Sequence, residues 1–225
     1  SADVHGPYVV GGVRIGTPIC EDSWHPDVAE TLAETGAEIL LIPNGSPYHR
    51  GKPNLRLNLM VARVVETGLP LVYLNMTGGQ DDQVFDGCSM VLNPGGQLAV
   101  QMPQFDDSVT HVTFNRTAEG WHAETGERAT VPEVAEADYR AMTIGLHDYL
   151  AKSGFSRVVL GLSGGIDSAI VATIAQIAGI NAAFGLALPR LTLIPEGVFG
   201  GIHCVFDIGG RRVIALFGHR YARFA

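Results

Sequence analysis

The chain has 225 residues, 46% of them hydrophobic, and a formal net charge of -8, enough to bury one large core or two modest ones. No apolar run approaches the roughly 20 residues of a membrane-spanning helix, and the opening "SADVHGPY" lacks the basic and apolar regions of a signal peptide, so no membrane or secretory role is expected and the cytoplasm is the default compartment. The acidic excess is segregated, 17 acidic against 7 basic residues through residue 135 and 6 against 8 beyond it, which argues against nucleic acid as a partner.

The chain opens in mid-pattern at Ser1, as a fragment would. Short apolar strands then alternate with helices: "GGVRIGTPI", a helix near 27 to 35, "AEILLIPN", a helix near 54 to 67, and "LPLVYLNM". Pro26 and Gly36 bracket the first helix. Leu57, Met60, Val61 and Val64 give the second a single buried stripe. "SMVLNPGGQLAVQM" reads as two strands around a Pro-Gly-Gly turn and "VTHVTF" as a further strand, closing an α/β layered domain near residue 115.

Residues 116–135 lose the periodicity and gain charge, as a linker does. Beyond them Tyr139, Met142, Leu146, Tyr149 and Leu150 line one face of a helix that Gly154 can close, and "RVVLGL" supplies a strand. Ile170, Val171, Ile174, Ile177 and Ala178 form a second helical stripe after it. Cys20, Cys88 and Cys204 have no CxxC spacing and the eight histidines form no metal pattern, so neither a disulfide framework nor a zinc site is expected.

Between that strand and that helix lies "GLSGGIDSA" (161–169). A strand-to-helix loop offers unpaired N–H groups and the positive end of the helix dipole, and so favours an anion. Gly164 and Gly165 let the backbone approach, Ser163 and Ser168 can donate to phosphate oxygens, and Asp167 can face a magnesium ion that bridges them. The bland alternative is a capped turn with Asp167 or Ser168 as N-cap. "SGGIDSA" resembles the SGGxDS signature of the PP-loop ATPases. The resemblance implies that Ser163, Gly164, Gly165, Ile166, Asp167 and Ser168 bind ATP with Mg2+ at Asp167, and that a substrate is adenylated with release of pyrophosphate.

Cys20 ends a strand just before a predicted helix, a place where a thiolate gains from the dipole. A lone cysteine is as readily a small buried hydrophobe, and Cys88 is expected to be one. Longer spacing alters the balance. "CEDSW", "IPNGSPYHRGK" and "GGQDDQVFDGCSMVLNPGG" resemble the nitrilase-type amidase domain of glutamine-dependent NAD synthetases over most of residues 9–114. That resemblance makes Cys20 the nucleophile on the glutamine amide, with Glu21 beside it, Ser46 and Lys52 holding the glutamine α-carboxylate and α-amine region, and Tyr48 as a wall. Ser46 could equally be a turn residue and Lys52 a solvated charge.

Together the two motifs imply a nitrilase-like α-β-β-α domain (1–115), a linker (116–135), the first part of a Rossmann-like parallel-sheet synthetase domain (136–190), and a tail (191–225) without a match beyond Arg190. The implied partners are glutamine and deamido-NAD, in a homo-oligomer. The family's glutamate base and lysine lie well upstream of the cysteine, and only 19 residues precede Cys20. The chain is therefore expected to be incomplete at both ends and inactive by itself. A carbon-nitrogen hydrolase with a degenerate appendage and a non-catalytic nucleotide-binding fragment are the competing readings.

Overall fold

The computed structural model describes residues 5–155, 157–161, 166–178, 181–184, 191–193, 203–208 and 211–216. It divides into two compact units, Ser1–Ala141 and Met142–Ala225. In chain order the first unit holds β1 (Tyr8–Val10), β2 (Val13–Gly16), a 3-10 helix (Cys20–Trp24), α1 (Pro26–Glu34), β3 (Ile39–Asn44), α2 (Lys52–Thr67), β4 (Leu71–Asn75), β5 (Thr77–Gln80), β6 (Gln83–Asp86), β7 (Met90–Asn93), β8 (Gln97–Gln101), β9 (Phe114–Thr117) and β10 (Gly120–Ala123). Helix α3 (Val134–Lys152) runs from the first unit into the second.

One six-stranded sheet, in the order β1-β2-β3-β4-β7-β8, organises the first unit. Its centre, β2, β3 and β4, is parallel, and β1, β7 and β8 pair antiparallel at the two sides. Alternation along the strands separates two faces. Leu40, Ile42, Leu71, Tyr73, Met90 and Leu92 turn to one side and pack with Ala29 and Leu32 of α1 and Met60 and Val64 of α2. Full burial of each large apolar side chain stabilises by roughly 1.5–3 kcal/mol, so this layer supplies most of what holds α1 and α2 to the sheet. On the other face Val91, Ala99 and Val100 pack with Ala123, and Val72 and Phe114 lie against them.

The expected helices form at Pro26–Glu34 and Lys52–Thr67, close to the boundaries read from the sequence. Gly68, at φ 68, ends α2 by donating its N–H to Val64 O at 2.9 Å. Two expectations differ. "VTHVTF" is not a strand over its length: residues 109–113 lie outside any strand, Val109 is 91% exposed, and β9 begins only at Phe114. The stretch 116–135 is not a plain linker, because β9 pairs with β10 in register Phe114↔Ala123 and Asn93 fixes the end of that hairpin. Its side chain donates to Ala123 O at 2.9 Å and accepts from Ala123 N at 2.7 Å.

In the second unit β11 (Arg157–Leu160) pairs parallel with β12 (Asn181–Phe184), with α4 (Ile166–Ile177) between them in sequence. Strand and helix thus follow the expected order. Leu150 and Ala178 are buried together, with Leu146 and Val158 against them, whereas Met142 and Tyr149 of the expected α3 stripe are about half exposed at 47% and 51%. Among the described side chains of α4, Ala172, Ile174 and Ala175 are buried, while Ile170 and Val171 are each 46% exposed; Ile177 of the expected stripe lies outside them. Residues beyond Arg190 contain β13 (Leu191–Leu193), β14 (His203–Ile208) and β15 (Arg211–Leu216), an antiparallel sheet in that order. No helix among the described residues is long and apolar enough to cross a membrane.

Candidate functional site

Parallel strands leave their carboxyl ends on one edge of the sheet, and loops leaving that edge form the natural site of an α/β layer. β2, β3 and β4 end there. The segment after β2 delivers Cys20, the segment after β3 delivers Ser46, Tyr48 and Lys52, and β4 itself ends at Asn75. Residues far apart in sequence are therefore collected by strand direction alone.

Cys20 takes a φ of 52, the left-handed region that a Cβ disfavours. The turn is fastened on both sides of it. Asp22 Oδ2 accepts from Ile19 N at 3.0 Å, and the fully buried Ser23 donates its hydroxyl to Cys20 O at 2.7 Å. Such over-determination holds a strained residue in place and presents its side chain at a sharp bend. Cys20 is partly exposed and Glu21, beside it, is exposed. The same short helix ends at Trp24, and Lys52 Nζ lies 5.8 Å from the centre of its ring, within the range of a cation–π contact. Cys20 and Lys52 thus border one stretch of backbone from its two ends.

Ser46 is buried and its peptide is clamped by Asn75. Ser46 N donates to Asn75 Oδ1 at 2.8 Å, and Asn75 Nδ2 donates to Ser46 O at 3.1 Å and to Gly87 O at 3.0 Å. Tyr48 makes an edge-on contact with Phe105, ring centres 5.3 Å apart. Its hydroxyl donates to Asp138 Oδ1 at 3.0 Å. Burial first, and then the bond to Asp138, push that hydroxyl up to about 12.

Beneath these residues lies a polar cluster that the sequence reading did not single out. Arg56 of α2 and Asp86 of β6 form an ion pair at 2.6 Å with side chains 1% and 0% exposed. Gln104 donates to the second oxygen of Asp86 at 2.7 Å, and Arg56 Nη1 donates to Gly87 O at 3.3 Å. The Tyr73 hydroxyl is buried next to them. Burial pushes it up to about 12, with Arg56 opposing. Gly87 closes the cluster: it takes a φ of 65, and a Cβ there would meet Thr77 Oγ1 at 2.6 Å. The signal for Arg56 was present in the sequence, since it precedes Met60 by one helical turn on the buried stripe.

Cys88 is a core residue, as expected. It is 3% exposed, and burial, with Asp86 adding to it, pushes its thiol up to about 11. A cavity of about 610 Å³ opens on the opposite sheet face against Val72, Leu74, Val91 and Val100; Cys20, Ser46 and Lys52 do not line it.

In the second unit Asp167 and Ser168 lie in the first turn of α4, directly after Ile166, and Asp167 is exposed. Ser163, Gly164 and Gly165 lie outside the described residues, as does Arg190. No group of three or more His, Cys, Asp or Glu side chains among the described residues is placed to hold a metal. Asp167 is thus a single carboxylate at a helix start, the donor set that suits a magnesium ion carried mainly by phosphate oxygens.

Comparison with known proteins agrees with this division. The carbon-nitrogen hydrolase family matches residues 2–122 and the NAD synthase family residues 138–198, the second match running past Arg190. A glutamine-dependent NAD(+) synthetase of Rhodobacter capsulatus is 62% identical over 172 residues, covering 76% of this chain and 31% of its own length. One of Xylella fastidiosa (strain 9a5c) is 43% identical over 180 residues, covering 75% and 31%. Among solved structures, the glutamine-dependent NAD+ synthetase of Acinetobacter baumannii in complex with adenosine diphosphate superposes with a TM-score of 0.71 at 36% identity, covering 76% of this chain and 32% of that one. The chain thus spans about 31% of the length of the curated relatives it matches. It belongs to the carbon-nitrogen hydrolase family, with an NAD synthase segment following in the same polypeptide.

Proposed function

We propose that the chain serves glutamine-dependent NAD synthesis, with Cys20 as the nucleophile that releases ammonia from glutamine. The observation that carries this is the fastened, left-handed Cys20 at the carboxyl edge of the parallel strands, with Ser46 and Lys52 brought to the same edge. In this reaction the Cys20 sulfur bonds to the amide carbon, the carbon–nitrogen bond breaks as nitrogen takes up a proton, and water then cleaves the thioester to glutamate and free thiol. Ser46 and Lys52 hold the α-carboxylate and α-amine region, where a fixed backbone and a cation restrict the substrate to one pose.

The nicotinate carboxylate of deamido-NAD takes the adenylyl group of ATP with release of pyrophosphate, and ammonia then displaces AMP to give NAD. Residues 163–168 would hold the phosphates, and Asp167 would hold a magnesium ion that neutralises charge on them. The parallel strand β11 running into α4, and a relative solved with adenosine diphosphate, support this half of the reading. The test supplies a chain extended to the length of its relatives with glutamine or ammonium salt, ATP, magnesium and deamido-NAD, and follows glutamate, AMP and NAD. Glutamate formation that does not depend on Cys20 would overturn it.

Asp167→Asn separates the two roles open to that carboxylate. The variant keeps size and capping ability but loses the anionic ligand. In a chain extended to the length of its relatives, ammonia-supported NAD formation is expected to fall by about a hundredfold or more, as the loss of metal-held charge stabilisation implies, while glutamine hydrolysis persists. Unchanged synthesis from ammonia would make Asp167 a helix cap only.

A further inference from the structure

The loop from Ser46 to Lys52 is pinned at three places. Asn75 clamps Ser46, and Tyr48 N donates to Val84 O at 2.6 Å while Pro47 pairs with Phe85. The far half, 48 to 50, is anchored by its side chains to a different element. Asp138, on the first turns of α3, accepts from Tyr48 through Oδ1 and from Arg50 Nε through Oδ2 at 2.8 Å, with Arg50 Nη2 donating to the same oxygen. Arg50 thus presents two adjacent N–H groups to one oxygen while the other oxygen takes the phenol. Among the described residues, the side-chain hydrogen bonds to this carboxylate come from one loop.

We propose that Asp138 is a positioning residue for glutamine capture, setting from α3 the loop that carries Ser46, Tyr48 and Lys52. The inference rests on the reading of Cys20 as the glutamine nucleophile. A surface ion pair of this kind has little effect on stability: Arg50 is 69% exposed and Asp138 24%. Its geometry nevertheless fixes a loop whose two ends border the proposed glutamine site, because Lys52 follows Arg50 by only two residues, through the left-handed Gly51 at φ 77. The Arg50 bond holds the Asp138 carboxyl below its usual range, so the clasp stays charged across neutral pH.

The experiment follows alkylation of Cys20 by iodoacetamide, read by mass spectrometry of its peptide in the folded chain at increasing glutamine. Glutamine is expected to protect Cys20 in the parent. In Asp138→Ala the glutamine concentration giving half protection should rise about tenfold, the scale of one charge-assisted hydrogen bond, with the unprotected alkylation rate unchanged. Arg50→Ala should shift protection in the same direction, and Asp138→Arg combined with Arg50→Asp should recover part of it. Equal half-protection concentrations in parent, Asp138→Ala and Arg50→Ala would overturn the positioning role and leave the reading of Cys20 standing. No protection in the parent would overturn both.

Discussion

In a chain extended to the length of its relatives, Cys20→Ala is expected to abolish glutamate formation from glutamine, by roughly ten-thousandfold or more, and to leave NAD formation from ammonium salt close to that of the extended parent. The reason is chemical. Alanine cannot form the thioester, so neither the attack on the amide nor the later hydrolysis has an alternative at this position. Ammonia added from outside bypasses the step. The fold should tolerate the change, since Asp22 and Ser23 hold the turn through backbone atoms of Ile19 and Cys20 that alanine retains. Equal loss with both nitrogen sources would mean that Cys20 supports structure and not the release of ammonia.

The largest effect on stability is expected from Asp86→Ala. Arg56 and Asp86 are 1% and 0% exposed and meet at 2.6 Å, so removing the carboxylate leaves a guanidinium buried without its counter-ion and deprives Gln104 of its acceptor. Breaking a buried pair from one side costs about 3–5 kcal/mol. Replacing both partners by apolar residues costs far less, because neither desolvated charge then remains. Arg56→Met with Asp86→Leu should therefore unfold at a higher denaturant concentration than Asp86→Ala alone. If Asp86→Ala unfolds at the parent's midpoint, water reaches the pair in solution.

The helices and parallel strands of the first unit were legible because each carries its own period. Met60 and Val64 repeat along α2, and "AEILLIPN" and "LPLVYLNM" place β3 and β4 within a few residues. The β5–β6 hairpin was not legible. Its Gly78, Gly79, Asp81 and Asp82 have loop composition, and pairing such as Gly79↔Val84 supplies what propensity does not. β10 lies in a stretch of linker composition for a similar reason: the Asn93 amide that anchors Ala123 is thirty residues away in sequence. At the site, Cys20, Ser46 and Lys52 could be named from motif resemblance, and strand direction brings them to one edge. Asn75 and the Arg56–Asp86 pair carried no local signal beyond a charge on an apolar stripe. The partnership of Tyr48 and Arg50 with Asp138 spans about ninety residues, a distance over which no pattern in a single sequence speaks.

The backbone of Cys20 sets chemistry against thermal endurance. A residue with a Cβ at φ 52 costs about 1–2 kcal/mol relative to glycine in the folded chain, and glycine's greater freedom when unfolded returns about 0.4–1 kcal/mol of that. Cys20→Gly should thus match or modestly exceed both the parent and Cys20→Ala in resistance to denaturant, while lacking the sulfur altogether. Directed evolution scored only on heat resistance would drift toward glycine here and discard the sulfur proposed to react, so a library built on this scaffold has to hold codon 20 fixed or select on the proposed chemistry as well.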